Sequence, residues 1–229
     1  MNINRYLILF TIVLSAGIQG EAQNSYQFGL LPSVNINKKL PKDLTLNFRL
    51  ESRHELKNGL FNTAGPFDYN YVLTDFSLLV AKKISRATSG ALGYLIRVED
   101  GEIVQRSIQQ FTVNKNFTGL RLAHRLSIDQ TFDQREKTEY RLRYRISTEI
   151  PLNGQSVDPG EYYFKLNHEY LNAWQNRQYD LEIRGVPMLG FEFSDTQKIE
   201  IGLDYRLSSF LQNGSRQRFW IALNWFQVL

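Results

Sequence analysis

Arg141, Arg143 and Arg145 occupy alternate positions of the run Tyr140-Arg141-Leu142-Arg143-Tyr144-Arg145-Ile146. An extended chain therefore projects all three guanidinium groups from one face and the apolar side chains from the other. The same alternation puts Arg49, Arg53, Arg97, Arg121, Arg125, Arg184 and Arg206 on a polar face, together with Glu51, Glu99, Asp129, Glu149, Glu169, Glu182, Glu192, Glu200 and Asp204. Ten arginines thus face nine carboxylates. Arginine suits such a face because its planar fork can pair carboxylates on neighbouring strands, and an unpaired charge in a narrow interior is costly. One reading is a self-neutralising network that fills the interior and fixes strand register. The other is a track for an anionic solute, formed by Arg141, Arg143 and Arg145 with Arg121 and Arg125 on the preceding segment, where five arginines exceed their immediate acidic neighbours. The candidate lining residues are the ten arginines and Glu169.

Other chemistry finds little support in the inventory. A serine activated by histidine needs one of His54, His124 or His168, the three histidines of the chain. His124 and His168 fall on the apolar face by register, and His54 sits at a strand end. Ser127 is three residues from His124 and so on the opposite face, where the two cannot act as nucleophile and base. Glu99 and Glu102 flank a turn, where solvation is their ordinary role. Zero cysteines exclude a disulfide framework, a thiolate zinc site and a cysteine nucleophile, and the net charge of +4 gives no reason to invoke nucleic acid. No enzyme, catalytic residue, metal site or cofactor is expected; an outer-membrane lipid-modifying enzyme is the weaker alternative.

The elements that must position the arginines have a period of two. Leu44-Thr45-Leu46-Asn47-Phe48-Arg49-Leu50-Glu51 alternates strictly, as do the runs 120–129, 140–146 and 199–207. Weaker copies cover 26–36, 72–84, 90–99, 104–113, 162–171, 181–193 and 219–228, which makes eleven segments in a single all-β domain. Their connections alternate between shorter ones (37–43, 85–88, 114–118, 194–197) and longer or more polar ones (56–70, 100–102, 132–137, 172–178, 212–216), with 151–160 unusually long for its place. That is the pattern of a barrel with unequal rims. A single-chain bacterial barrel normally has an even strand number, so the expectation is a single antiparallel transmembrane β-barrel of 10 to 12 strands with 12 preferred: either a further strand lies near 151–160 or 56–70, or the amino-terminal segment is not a full strand. Pro32 and Pro187 each remove a ladder donor and so call for an edge, a bulge or a shorter segment.

Alternation alone does not decide which face points inward. Three features favour apolar residues facing lipid over a soluble periplasmic β-protein. Most segments are about ten residues or longer, enough to cross a bilayer while tilted. Tyr69, Tyr71, Tyr162, Tyr163, Tyr170, Trp174 and Trp225 lie near segment ends, as interfacial girdles require. The sequence also stops on an alternating strand, Phe219-Ile221-Leu223-Trp225. Residues 1–22 read as a cleaved signal peptide, with a weakly basic start, an apolar run over 6–16 and small residues at Gly20 and Ala22. The barrel is then expected over 23–229, exported to the bacterial outer membrane.

The strand opening at Phe28-Gly29-Leu30, the strand ending Phe48-Arg49-Leu50-Glu51-Ser52-Arg53, the run from His124 to Gln130, the ladder from Tyr140 to Arg145, Asn167-His168-Glu169 and the strand from Ile199 to Arg206 appear in this order. In that arrangement the chain resembles the bacterial outer-membrane β-barrel family known as domain of unknown function 2490. The resemblance implies location and fold, and carries over no catalytic or binding residue. Leu229 departs from the aromatic final residue of common barrels, although Trp225 and Phe226 stand just before it. Two functions remain open: a narrow channel or uptake component for a small anionic or oligosaccharide-like solute, and a closed structural or partner-binding barrel with a charge-plugged lumen. The partners expected are outer-membrane lipid, the barrel-assembly machinery and a small anionic solute.

Overall fold

The computed structural model describes residues 24–229 except 64, 134, 135 and 213. The expected signal peptide, residues 1–22, lies outside the described residues. Eleven strands follow one another: β1 (Ser25–Leu40), β2 (Leu44–Leu60), β3 (Phe67–Lys83), β4 (Thr88–Glu99), β5 (Glu102–Phe117), β6 (Leu120–Phe132), β7 (Glu139–Pro151), β8 (Tyr162–Gln175), β9 (Gln178–Ser194), β10 (Gln197–Ser208) and β11 (Arg216–Val228). Each corresponds to one of the alternating sequence segments. Sequential neighbours pair antiparallel, and the sheet closes on itself through β1 and β11.

The closing pair is parallel, from Ser25 opposite Arg216 to Asn37 opposite Val228. This corrects the preference for twelve strands and for a wholly antiparallel barrel. In a closed ring of sequentially antiparallel strands an odd number forces the first and last to run the same way, and the chain accepts that junction. Its faces match there. Leu30, Pro32 and Val34 stand beside Ile221, Leu223 and Trp225, while Leu31, Ser33 and Asn35 stand beside Ala222, Asn224 and Phe226. Ser33 Oγ donates to Asn224 Oδ1 at 2.5 Å, fastening the seam from within.

Among the described residues no extra strand lies in either suspected place. β2 and β3 extend until only residues 61–66 join them, and residues 152–161 form a loop. That loop is tied to the rim by Gly119 N–H to Gln155 O at 3.2 Å and Gly160 N–H to Glu192 O at 2.7 Å. Pro32 and Pro187 are likewise inside long strands, at neither an edge nor a bulge. The β1–β2 pairing passes from Leu30–His54 to Ser33–Glu51, and the β9–β10 pairing from Met188–Gly202 to Gly185–Tyr205, each skipping the proline without changing register. A missing donor interrupts the ladder locally, and the long pairings on both sides hold the strand in line.

The barrel interior is mixed in character. Trp220 packs with Leu31, Met188 and Ala222, although Met188 and Trp220 are separated by β10. Gly202 on β10 makes this possible, since a Cβ there would lie 2.9 Å from Met188 Cγ and closer still to the Pro187 carbonyl. Gly190 leaves the matching space for the Tyr163 ring, which is fully buried. Leu73, Leu95, Ile108 and Leu171 are further buried apolar residues, most of the remaining interior is charged or polar, and the outer wall is apolar.

Candidate functional site

Alternation along the strands aims one set of side chains at an interior cavity of about 1100 Å³. Arg49, Arg53, Arg97, Arg121, Arg125, Arg141, Arg143, Arg145, Glu169, Arg184 and Arg206 all line it. The volume is slightly above the usual range of small-molecule sites. Lys83 and Arg86 line it at the rim that holds the end of β11, while Glu99, Glu136 and Asp180 line it at the opposite rim.

Most of the lining charges are paired. Asp129 has 0% exposed surface and is held by Arg141 Nη2 at 3.0 Å and by Arg143, whose Nε lies 2.8 Å and Nη2 3.0 Å away. Glu169 takes Arg145 Nε at 2.8 Å and has Arg184 Nη1 at 3.2 Å. Glu182 joins Arg184 to Arg218, whose Nη2 is 2.6 Å away. Arg206 forks onto Asp204 at 2.7 and 2.9 Å, and Arg97 does the same to Asp75. Glu51 pairs with both Arg49 and Arg53. At the edge of the network Glu200 accepts from Lys165 Nζ at 2.8 Å and Tyr163 OH at 2.9 Å. Such buried pairs add little net stability over an apolar interior, but removing one partner strands the other.

The arginine row on β7 is therefore divided. Arg141 and Arg143 are committed to Asp129, and Arg145 shares Glu169 with Arg184. Arg121 reaches only Glu149, at 3.7 Å. Of the strand arginines lining the cavity, Arg106 and Arg125 alone make no ion pair among the described residues. Arg106 donates from Nε to Thr131 Oγ1 at 2.9 Å, whereas the buried Nε of Arg125 has no hydrogen-bond partner.

Sequence reasoning missed Asp75, Arg106, Lys165 and Arg218. Arg106 is hard to see because Val104 and Ile108, on the same inward face, disguise β5 as an apolar stripe. Its other face carries Gln105, Ser107 and Gln109, which was the available signal. Tyr163, expected in an interfacial girdle, points inward instead. Two adjacent tyrosines in a strand must take opposite faces, and it is Tyr162 that is exposed.

The family model described as "Protein of unknown function (DUF2490)" matches residues 28–220. The chain belongs to the DUF2490 family. No curated protein and no solved structure matches it.

In this DUF2490 member the three histidines all lie away from the cavity, each beside a tyrosine. His124 Nδ1 is 2.8 Å from Tyr144 OH, and His168 meets the Tyr170 ring edge-on at 4.7 Å. His54 sits inside β2, where Nε2 is 3.0 Å from Ser52 Oγ and Nδ1 is 2.8 Å from Tyr69 OH. Ser127, buried on the inward face of β6, is separated from His124 as the alternation requires.

Proposed function

We propose that this DUF2490 protein is a bacterial outer-membrane β-barrel whose lumen is a narrow, arginine-biased passage for a small anionic solute. The observation that carries the membrane part is reversed polarity. Phe76, Leu78, Val80, Leu92, Ile96, Leu126, Ile128, Ile201, Leu203, Ile221 and Leu223 are exposed, while Glu51, Asp75, Asp129, Glu169, Glu182, Glu200 and Asp204 are buried. Contiguous apolar surface on this scale is rare on a water-soluble monomer and is the ordinary exterior of a barrel in lipid. Exposed aromatics gather toward both rims, with Phe67, Tyr69, Tyr140, Trp174 and Tyr179 at one and Phe117, Tyr162, Phe164, Phe193 and Trp225 at the other. They suit two interfacial girdles. Outer-membrane lipid and, during biogenesis, the barrel-assembly machinery are the partners this location entails.

The passage reading rests on the cavity touching both rims and on lining arginines left without carboxylates. A second reading, a closed structural barrel, draws support from the ion pairs that knit the inward side chains of neighbouring strands together. Single-channel recording of the purified protein in planar bilayers separates the two. Conductance steps with an anion-shifted reversal potential under a salt gradient are expected of the passage. Insertion without conductance removes that reading and leaves the closed barrel, and selectivity for cations removes the anionic solute.

A further inference from the structure

The cavity wall around Arg125 has the composition of an oxyanion site. Arg125, on β6, stands directly opposite Thr112 of β5 and Arg145 of β7. Its electrostatic neighbours are Arg143 and Arg145 on the same wall, Arg49 from across the barrel and one carboxylate, Glu169, which Arg145 and Arg184 already hold. The guanidinium makes no ion pair or hydrogen bond to any other side chain among the described residues, and its Nε is buried without a partner. Arg145 uses only Nε toward Glu169, which leaves its terminal nitrogens as donors. Three hydroxyls complete the surroundings: Thr112, Ser127 and Ser147 are inward neighbours on these strands, and none has a side-chain hydrogen bond among the described residues. All but Ser127 are among the residues lining the cavity.

A guanidinium with three cations and a single shared carboxylate around it, and no ion pair of its own, is unfavourable unless something of opposite charge comes to it. Two guanidinium groups and the hydroxyls of Thr112 and Ser147, offered from three adjacent strands, supply more donors over a wider angle than the two oxygens of a planar carboxylate can accept. A tetrahedral oxyanion has the charge and the number of acceptors to use them. We propose that Arg125, with Arg145, Thr112 and Ser147, forms a binding station for a phosphate-type oxyanion, either free or as the terminal group of a small solute. The station rests on the lumen reading above and names the chemistry of the solute. It moves the solute contact from the β7 row, where carboxylates already occupy Arg141 and Arg143, to Arg125.

The test is a calorimetric titration of the full-length purified protein in detergent with inorganic phosphate at low ionic strength. It compares wild type, Arg125→Gln, the charge-preserving pair Thr112→Val with Ser147→Ala, and Arg216→Gln as a control for loss of one positive charge outside the cavity. Saturable binding of one phosphate is expected for wild type and Arg216→Gln, with at least tenfold weaker binding for Arg125→Gln and an intermediate loss for the hydroxyl pair. Folding of each variant is checked by circular dichroism, and the hydroxyl pair keeps the test decisive if Arg125→Gln does not fold. Absence of phosphate binding in wild type, or unchanged affinity in both site variants, overturns the station. In planar bilayers phosphate should reduce the wild-type chloride current and spare that of Arg125→Gln. Anion conductance that phosphate leaves untouched discards the station and keeps the passage. Phosphate binding in detergent without any conductance keeps the station and discards the passage.

Discussion

Asp129 is the acceptor shared by two arginines in a site with no exposed surface of its own, and its loss has a clear direction. Asp129→Asn leaves Arg141 and Arg143 short of their counter-charge, and breaking a buried pair by removing one partner costs about 3 kcal/mol or more. Arg121→Gln is the contrast. Its side chain is 54% exposed and lies 3.7 Å from Glu149, so less than about 1 kcal/mol is expected. Urea unfolding in the same detergent, followed by circular dichroism, should rank the two variants in that order, and equal midpoints would mean that the interior pairs carry no energetic weight. At this scale the charged face was legible in the sequence because alternation assigns faces without knowledge of the fold. The partners were not. Arg206 lies within electrostatic reach of Glu51 on β2, though neither sequence nor strand adjacency joins β2 to β10. Which charges meet across a lumen depends on strand tilt and closure, and local spacing carries neither.

At the scale of the elements, all eleven segments were legible, since each holds a period-two pattern strong enough to survive its irregular positions. Their ends were not. β2 continues through Ser52–Leu60, where polar residues on both faces hide the alternation, and what reads as a fifteen-residue connection becomes six residues between strands. The parity argument failed for a related reason: it assumes an antiparallel closure, which is a property of the ring and of no single strand. The parallel seam gives a direct test, helped by the absence of native cysteines. Ser33 and Asn224 are paired inward residues of β1 and β11 whose side chains touch. Ser33→Cys with Asn224→Cys should form an intramolecular disulfide on mild oxidation, detected as a shift in gel mobility reversed by reductant. An even-stranded barrel, with another strand between β1 and β11, would hold these positions too far apart to cross-link.

At the scale of the whole molecule, the chain buries many of its carboxylates and exposes many of its apolar side chains, which the proposed lipid exterior would reconcile. The cysteine-free background lets single thiols report which face meets water. In vesicles containing the folded protein, cysteines placed at Ile201 and Leu203 on the outer wall and at Gln110 and Ser147 on the cavity wall are exposed to a small membrane-impermeant maleimide. Labelling at Gln110→Cys and Ser147→Cys, with protection at Ile201→Cys and Leu203→Cys until detergent or denaturant is added, is the expected result. Reaction at positions 201 and 203 as fast as at 110 and 147 in intact vesicles would contradict the lipid-facing outer wall, and with it the passage enclosed by that wall.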